Sequence, residues 1–289
     1  MTQPFILDPR ASTGFSDASS YDTHRPSYPP QAVEKLLNHI NLSGVKGARV
    51  IDLGSGTGKL TEALSWRGEG YEILAIEPHE GMRGELEKKG LEGVSVRKGS
   101  AESIEVEEDW ADGVVVGQAF HWFANRDALR EIHRVLKPGG ALGLIWNVED
   151  YNAPTSWKPR SKWAQKLKDI IRTLKDGHPR FRDLEWQMVF DSQTETSPLQ
   201  ALKDTFTHNT PDFSLPLGSE DVEWIVYLKD EDLWARFHSL SQVANLKGEK
   251  LDEVKKVFFE SLKEDGVERN EAGEVTVHGR THLAWTSRI

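Results

Sequence analysis

The chain has 289 residues, a formal net charge of −10 at pH 7 and no cysteine. This length suits one large α/β domain, and the lack of cysteine excludes disulfides, a thiol nucleophile and a zinc–thiolate site. The acidic balance argues against nucleic acid as a partner, because phosphate binding requires clustered basic residues. No apolar run approaches the ~20 residues of a membrane span, and the polar stretch 1–14 lacks the apolar core of a signal peptide. We therefore expect a flexible arm over 1–14, a single domain over 15–289, a cytoplasmic location and no membrane partner.

Aromatic and basic side chains are dense just before the first predicted helix. Tyr21, Arg25 and Tyr28 stand close together there, among several prolines. Two interpretations are open: a short helix that the prolines interrupt, or a functional segment beside a binding site. Apolar residues at helical spacing then predict a helix over 31–42.

A glycine-rich turn follows the first predicted strand, Arg49 to Leu53. β-branched residues lead into Asp52, alternate glycines follow, and an amphipathic run begins at Lys59, which predicts a strand, a tight turn and a helix. Glycines tolerate positive φ and let a ligand approach the backbone where a Cβ would collide. The N–H groups at the helix start face the same turn. The turn consists of Gly54, Ser55, Gly56, Thr57 and Gly58.

Two phosphate-binding motifs do not fit this turn. A P-loop requires a glycine where Leu53 stands and a hydroxyl residue where Leu60 stands. A dinucleotide fingerprint, G-x-G-x-x-G, requires its third glycine at Lys59, but that glycine comes one residue early. The pattern that fits without a gap is D-x-G-x-G-x-G.

The second predicted strand, Tyr71 to Glu77, is a continuous apolar run that ends in an acid. Such runs suit a parallel strand that is covered on both faces. A carboxylate about 20 positions beyond a glycine turn can accept hydrogen bonds from both hydroxyls of a ribose. We therefore predict that Glu77 binds a ribose, with a solvated carboxylate at the strand end as the alternative. For Met82, packing on an adenine and packing in the core are both open.

The third and fourth predicted strands, Val94 to Gly99 and Asp112 to Gly117, lead into turns with polar and aromatic side chains. The carboxyl ends of strands are where open α/β sheets place their chemistry. His121 lies among aromatic residues after the fourth strand, and its imidazole titrates near neutral pH. It is therefore a candidate general base; the alternative is aromatic packing with the imidazole bonded to the backbone.

A helix over 127–136 and a Pro-Gly-Gly turn precede the fifth predicted strand, Ala141 to Trp146. Five strands that alternate with helices indicate a parallel sheet with right-handed crossovers.

The second half of the chain departs from this alternation. The sequence predicts helices over 163–174, 222–227, 233–240 and 251–262, a sixth strand within 205–217 and a final strand over 274–287. His278 and His282 share a face of that final strand but lie about 13 Å apart, too far for one ion. We therefore predict no metal.

Five stretches carry a resemblance to class I S-adenosylmethionine (SAM)-dependent methyltransferases. The segment from Tyr21 to Pro29 resembles the N-terminal segment that folds over the methionine end of the cofactor in small-molecule methyltransferases, and the turn from Gly99 to Glu102 resembles the turn that holds the adenine and its amine. The run from Asp52 to Gly58 resembles motif I of that superfamily. The run Gln118 to Phe123 resembles the motif after strand four in ubiquinone/menaquinone-biosynthesis and trans-aconitate methyltransferases, and Arg134 to Gly140 resembles the motif before strand five. The resemblance is good over roughly residues 15–147 and poor beyond.

The resemblance implies an α/β fold of the Rossmann-like type. It implies a seven-stranded, mostly parallel sheet with helices on both faces and a helical cap inserted after strand five. The implied division is a cofactor-binding core over 15–147, cap helices and strand six over 148–270, and a final strand over 271–289.

The resemblance also implies a binding site for SAM and for its product, S-adenosylhomocysteine (SAH). The cofactor residues it assigns are Tyr21, Arg25, Asp52, Gly54, Ser55, Gly56, Thr57, Gly58, Glu77, Met82, Ser100, Ala101, Glu102, Gln118, Ala119 and Phe120. The substrate residues are Tyr28, Trp122 and Trp146.

The expected activity is methyl transfer to a small-molecule metabolite, with the thiol or hydroxyl of a secondary metabolite favoured and an O, S, N or C acceptor left open. Such an enzyme must mainly align the acceptor and exclude water, so a strong cofactor pattern accompanies a weak catalytic one, and His121 is the candidate base. Two alternatives stay open: a nicotinamide-dependent oxidoreductase, which shares the glycine turn and Glu77, and a non-catalytic SAM-binding protein.

Overall fold

The computed structural model describes residues 22–23, 25–174, 176–193 and 211–289. Its strands are β1 (Arg49–Leu53), β2 (Glu72–Ile76), β3 (Val94–Arg97), β4 (Ala111–Gly117), β5 (Leu136–Glu149), β6 (Gly218–Leu228) and β7 (Val275–Ser287). Its α-helices are α1 (Pro30–His39), α2 (Lys59–Ser65), α3 (Glu80–Lys88), α4 (Arg126–Val135), α5 (Lys162–Thr173), α6 (Met188–Asp191), α7 (Asp230–His238), α8 (Ser241–Ala244) and α9 (Glu249–Ser261). The predicted arm over 1–14 lies outside the described residues.

The seven strands form one mixed sheet in the order β3–β2–β1–β4–β5–β7–β6. β1 pairs in parallel with β2 and β4, and β2–β3 and β4–β5 are parallel as well. Leu53 lies opposite Ile76, so β1 and β2 end together and their following loops meet at one edge. The strand order reverses between β1 and β4, which is where open α/β sheets bind ligands. The predicted Rossmann-like, mostly parallel sheet is confirmed.

Strand β6 corrects one prediction. The sequence predicts a helix over 222–227, and that prediction is wrong because β6 runs through the whole stretch. Val222 is buried and Glu223 is exposed, and burial continues to alternate along the strand. The stretch is rich in β-branched and aromatic residues, which suit a half-buried strand better than a helix.

The predicted sixth strand within 205–217 is also misplaced. Residues 205–210 lie outside the described part of the chain. Residues 211–217 contain no strand, only an isolated bridge between Phe213 and Arg288. Among the described residues after 210, the strand therefore begins at Gly218.

The fifth strand begins earlier than predicted. Ala111 pairs with Leu136, but Gly113 pairs with Ala141, so β5 carries extra residues against β4. Gly139 sits in this irregularity at φ +77°. The predicted Pro-Gly-Gly turn is thus present as a bulge within β5.

The chain divides into two compact units. The sheet unit comprises residues 28–146, 179–220 and 282–289, and the helix-rich unit comprises the residues up to Ser27, 147–178 and 221–281. The core of the helix-rich unit consists of apolar side chains from α5, α7, α8, α9 and the start of β7. The predicted division into core, cap and final strand stays a prediction.

Within the described ranges, no helix combines the length and apolar character of a membrane span. The same residues contain no group of three or more His, Cys, Asp or Glu side chains placed to hold a metal ion.

Candidate cofactor site

Two of the three glycines in the turn after β1, Gly56 and Gly58, serve different purposes. Gly58 has φ +84°, and a Cβ there would lie 2.2 Å from Leu86 Cδ1, so this position must be small for α2 to pack on α3. Gly56 has φ +58°, and a Cβ there would meet only Met82 Sδ at 3.7 Å. The backbone at Gly56 is therefore open to a ligand, whereas Gly58 is required by packing.

Glu77 lies directly after β2 and faces this turn. Its Oε2 accepts a hydrogen bond from Gly56 N at 2.8 Å, and its Oε1 accepts one from His79 N at 2.8 Å. The residue is only 6% exposed, and burial raises the pKa of its carboxyl while these backbone bonds lower it. Each carboxylate oxygen keeps a second lone pair, so the fixed carboxylate can still accept hydrogen bonds from a ligand.

Asp52 lies under the turn and ties β1 to α2. It is fully buried, and its Oδ2 accepts a hydrogen bond from Thr61 Oγ1 at 2.6 Å. Burial raises its pKa to about 7, the negative charge of Glu77 adds to this, and the Thr61 bonds oppose it. The neutral form is therefore abundant near pH 7.

Asp52 should make the stability of the fold depend on pH. Its pKa rises from 3.8 to about 7 on folding, so the fold favours the protonated acid. That stabilisation is complete below about pH 4 and is lost as the pH rises to about 7. We expect this group to lower the free energy of unfolding by about 2 to 3 kcal/mol between pH 5 and pH 8. Urea unfolding of the wild type and of Asp52→Asn at both pH values measures the difference, and equal drops in the two proteins would contradict it.

The turn after β3 supplies a further acceptor. Ser100 and Ala101 are buried. Glu102 Oε1 accepts a hydrogen bond from Asn125 Nδ2 at 3.0 Å. Its Oε2 is buried and has no hydrogen-bond partner among the described residues. Met82, on α3, is buried as well.

The aromatic residues in the loop after β4 have different surroundings. Gln118 adopts φ +59° at the start of this loop, and Ala119 follows it. Phe120 is fully buried and packs against Phe190 and Trp186, with ring centroids 5.4 and 6.3 Å away. Phe120 therefore anchors the loop in an aromatic core, and its predicted cofactor contact stays a prediction.

His121 and Trp146 are brought together. Trp146 Nε1 donates to His121 Nδ1 at 3.4 Å, and the Trp122 ring lies 5.5 Å from the imidazole. Trp146 is fully buried, and Tyr28 is largely buried beside Gly117, where a Cβ would lie 2.6 Å from its hydroxyl oxygen. The three predicted substrate residues are Tyr28, Trp122 and Trp146, and all of them thus belong to the sheet unit.

The predicted site residues do not include three aromatic side chains that lie near Trp146 in the structure. Its ring lies 4.7 Å from Trp186, 4.9 Å from Phe181 and 6.1 Å from His282. The aromatic density of 181–190 is visible in the sequence, but its proximity to Trp146 depends on tertiary packing. His282 attracts attention in the sequence as a metal ligand, whereas the structure places it among rings.

The N-terminal candidates are only partly described. Tyr21 lies outside the described residues. Arg25 is half-buried in the helix-rich unit, and its positive charge acts on the hydroxyl of Tyr151.

The turn residues fit an adenosyl ligand by their unsatisfied polar atoms. In the described part of the chain, Asp52 Oδ1, Ser55 Oγ and Glu102 Oε2 are buried without a hydrogen-bond partner. Buried polar atoms are normally paired, so these unpaired atoms around an open glycine leave hydrogen-bonding positions for a ligand. Thr57 is buried in the same turn.

Comparisons with known proteins agree with this geometry. A family model described as a methyltransferase domain matches residues 51–144. An uncharacterized methyltransferase of Mycobacterium tuberculosis is 32% identical over 247 residues, which cover 84% of each chain. An uncharacterized methyltransferase of Schizosaccharomyces pombe is 38% identical over 162 residues, 56% of this chain and 60% of the relative, so the chain spans less than two thirds of that relative.

A solved structure supports the fold alone. A protein of Anaeromyxobacter dehalogenans described as a candidate type II methyltransferase matches with a TM-score of 0.52 at 16% identity, covering 91% of this chain and 97% of its own. The long mycobacterial match shows the family, and the chain belongs to the class I SAM-dependent methyltransferases.

Proposed function

We propose that this protein binds SAM at the glycine turn and transfers its methyl group to a small-molecule metabolite. The observation that carries the proposal is the carboxylate of Glu77, fixed 2.8 Å from the Gly56 N–H. A buried carboxylate beside an open glycine can accept both hydroxyls of a ribose while the backbone approaches the rest of the nucleoside.

The residues that would hold SAM lie at the ends of three neighbouring strands. Glu77 would take the ribose, Glu102 the adenine amine, and the glycine turn the amino-acid end. SAM, when bound, supplies a methyl group on a sulfonium that is its own leaving group. The work left to this chain is to orient the acceptor, exclude water and remove a proton where the acceptor carries one.

The rings around Trp146 support a small, planar or apolar acceptor. The Trp186 and Phe181 rings lie within 5 Å of the Trp146 ring, tilted against it by 36° and 37°, and mostly apolar surroundings with few polar groups are typical of small-molecule sites. We favour a thiol or a hydroxyl as the accepting group, because either can attack the methyl carbon once it is deprotonated.

His121 is the proposed base, and its removal separates binding from turnover. We expect His121→Ala to keep SAM affinity within about twofold and to lower turnover about 100-fold, the usual contribution of a general base. The bond from Trp146 Nε1 occupies the lone pair of Nδ1 and leaves the proton of the neutral imidazole on Nε2. His121 can therefore accept a substrate proton only when this bond is released, and its second possible task is to hold that indole. His121→Gln retains an acceptor for Trp146 but cannot act as a base, so recovery in this variant would assign the positioning task. Unchanged turnover in both variants would dismiss any role in catalysis.

A methyl-labelled SAM screen tests the function directly. Purified protein is incubated with labelled SAM and a panel of thiols, phenols, alcohols and acids, and a mass increase of one methyl group identifies the acceptor. Calorimetry with SAM and with NAD distinguishes the rivals. Binding of NAD without SAM would favour the oxidoreductase, and SAM binding without labelled product across the panel would favour a non-catalytic protein.

A further inference from the structure

One edge of the sheet is formed by β6, which stands last in the strand order, after β7. Among the strands of the described residues, none pairs with its outer edge. The unpaired edge of a strand presents a row of N–H and C=O groups to any chain that can extend the sheet. The part of this edge that matters here is the stretch 223–229, which lies entirely within the helix-rich unit.

The middle of this stretch carries neither charge nor proline, the residues that natural proteins commonly place on an exposed edge strand. Residues 224–228 read Trp-Ile-Val-Tyr-Leu, five apolar or aromatic residues in a row. On the face that is turned to solvent, Ile225 and Tyr227 are each 51% exposed. On the opposite face, Val226 and Leu228 pack against the apolar core of the unit.

Ile225 and Tyr227 are neighbours on the exposed face, because side chains two residues apart on a strand point the same way. Other exposed large apolar residues, such as Trp66 and Met188, lie at separate helices. A single exposed apolar residue needs no explanation, whereas contiguous ones mark interaction sites. The combination of an apolar patch with an open strand edge therefore indicates a partner that pairs as a strand.

Charges of opposite sign stand at the two ends of the apolar run. Glu223 precedes the run and Lys229 follows it, and both are exposed. Glu223 lies 3.5 Å from Arg160, yet its side chain is still 63% exposed. The backbone remains extended at Lys229, with φ −64° and ψ 153°, before α7 begins. The whole stretch 223–229 is therefore available in strand geometry.

This stretch is complementary to itself in the antiparallel direction. With Val226 opposite its own copy, every apolar residue lies opposite an apolar residue, and each charge lies opposite a charge of the other sign. The opposed pairs are Val226 with Val226, Ile225 with Tyr227, Trp224 with Leu228, and Glu223 with Lys229. Apolar, aromatic and opposite-charge pairs across strands all stabilise a sheet.

The neighbouring registers lose this complementarity. A pair centred on Ile225 would set Glu223 opposite Tyr227. A pair centred on Tyr227 would set Lys229 opposite Ile225. Because a shift of register changes every pair at once, the register centred on Val226 is favoured over both.

We propose that β6 pairs in antiparallel fashion with the β6 of a second copy of this chain, about a two-fold axis at Val226, and that the protein forms a homodimer in this way. A two-fold axis makes the two halves of the interface identical, so each pair except the central one occurs twice. The proposal goes beyond methyl transfer, and the dimer forms without a cofactor, so a failure to bind SAM would leave it unaffected.

Sedimentation of the full chain, without SAM, tests the association. We expect a mass of twice the chain at about 100 μM, because a strand pair alone belongs to the small, weaker interfaces. Lys229→Glu opposes like charges twice and should weaken dimerisation at least about tenfold. Adding Glu223→Lys in the same chain restores opposite charges and should restore the dimer. Lys247→Glu, the same change at an exposed lysine outside 223–229, should dimerise like the wild type.

Disulfide cross-linking tests the register, and it is clean because the chain contains no cysteine. Opposed Cα atoms in an antiparallel pair lie about 4.5 to 5.5 Å apart, which a disulfide can span. A mixture of the Glu223→Cys and Lys229→Cys proteins should therefore form a cross-linked dimer on mild oxidation. Neither protein alone should do so, because its two cysteines would lie about 20 Å apart along the strands.

The contrary outcomes are equally definite. A monomer at every concentration would overturn the proposal and leave the edge to another segment or another partner. A dimer that is indifferent to Lys229→Glu would place the association on a different surface, and cross-linking by either cysteine protein alone would contradict the register. If the doubly substituted protein does not fold by thermal melting, Ile225→Glu takes its place. It sets a charge against Tyr227 twice and should also weaken dimerisation at least about tenfold, and an unchanged dimer there would overturn the proposal.

Discussion

Replacing Glu77 by alanine should weaken SAM binding about 100-fold. The substitution removes a buried acceptor for two ribose hydroxyls, and hydrogen bonds to a charged group contribute about 1.5 to 3 kcal/mol each. It also leaves the N–H groups of Gly56 and His79 without their present partner, so the turn loses its fixed shape. Calorimetric titration of the purified variant with SAM measures the effect.

The same strand supplies the control for this experiment. Glu72 is the first residue of β2, and Glu77 directly follows the last one. The side chain of Glu72 is 60% exposed and pairs with Arg49 at 3.1 Å. Exposed pairs contribute about 0 to 1 kcal/mol, so Glu72→Gln should bind SAM within twofold of the wild type. If SAM bound equally weakly to both variants, the loss of a negative charge near β2 would explain the effect, and a ribose contact by Glu77 would not be needed.

Replacement by alanine should mainly lower stability at Gly58 and mainly lower SAM affinity at Gly56. Gly58→Ala should lower the free energy of unfolding by about 2 to 4 kcal/mol, because it combines a left-handed backbone with a collision at the buried Leu86. Gly56→Ala should cost only about 1 to 2 kcal/mol of stability, since its Cβ has open space. It should nevertheless weaken SAM binding about tenfold or more, because the added methyl group occupies the ligand side of the turn.

Gly44 is the control that measures how much stability alanine loses through the left-handed backbone conformation alone. It also has a positive φ, +77°, and a Cβ there would have nothing within 4 Å. Gly44→Ala should therefore lose about as much stability as Gly56→Ala and retain SAM affinity. Urea unfolding and SAM titration on all three variants give the result, and a Gly56→Ala protein with unchanged affinity would remove this glycine from the site.

The cofactor side of the fold could be predicted because its determinants are local in sequence. The turn from Asp52 to Gly58 combines a strand end, positive-φ positions and a helix start within a few residues. The acidic residue Glu77 then follows from its spacing in the sequence, about 20 residues beyond the glycine turn and at the end of the next strand. Both ends of β1 and β7 fall where the apolar periods place them to within a residue.

The remainder could not be predicted because it depends on contacts between distant segments. The β-branched and aromatic residues of 222–227 favour a strand, but only the pairing of β6 with β7 in the folded sheet fixes that strand. Trp146 and Trp186 meet only after folding.

The central claim is that Glu77 and the open backbone at Gly56 hold the adenosyl group of SAM. A crystal structure of the protein with saturating SAH tests this most directly. We expect density for the nucleoside over the glycine turn, with both ribose hydroxyls within hydrogen-bonding distance of the Glu77 carboxylate. Density for SAH elsewhere, or a turn without ligand at saturation, would contradict the claim.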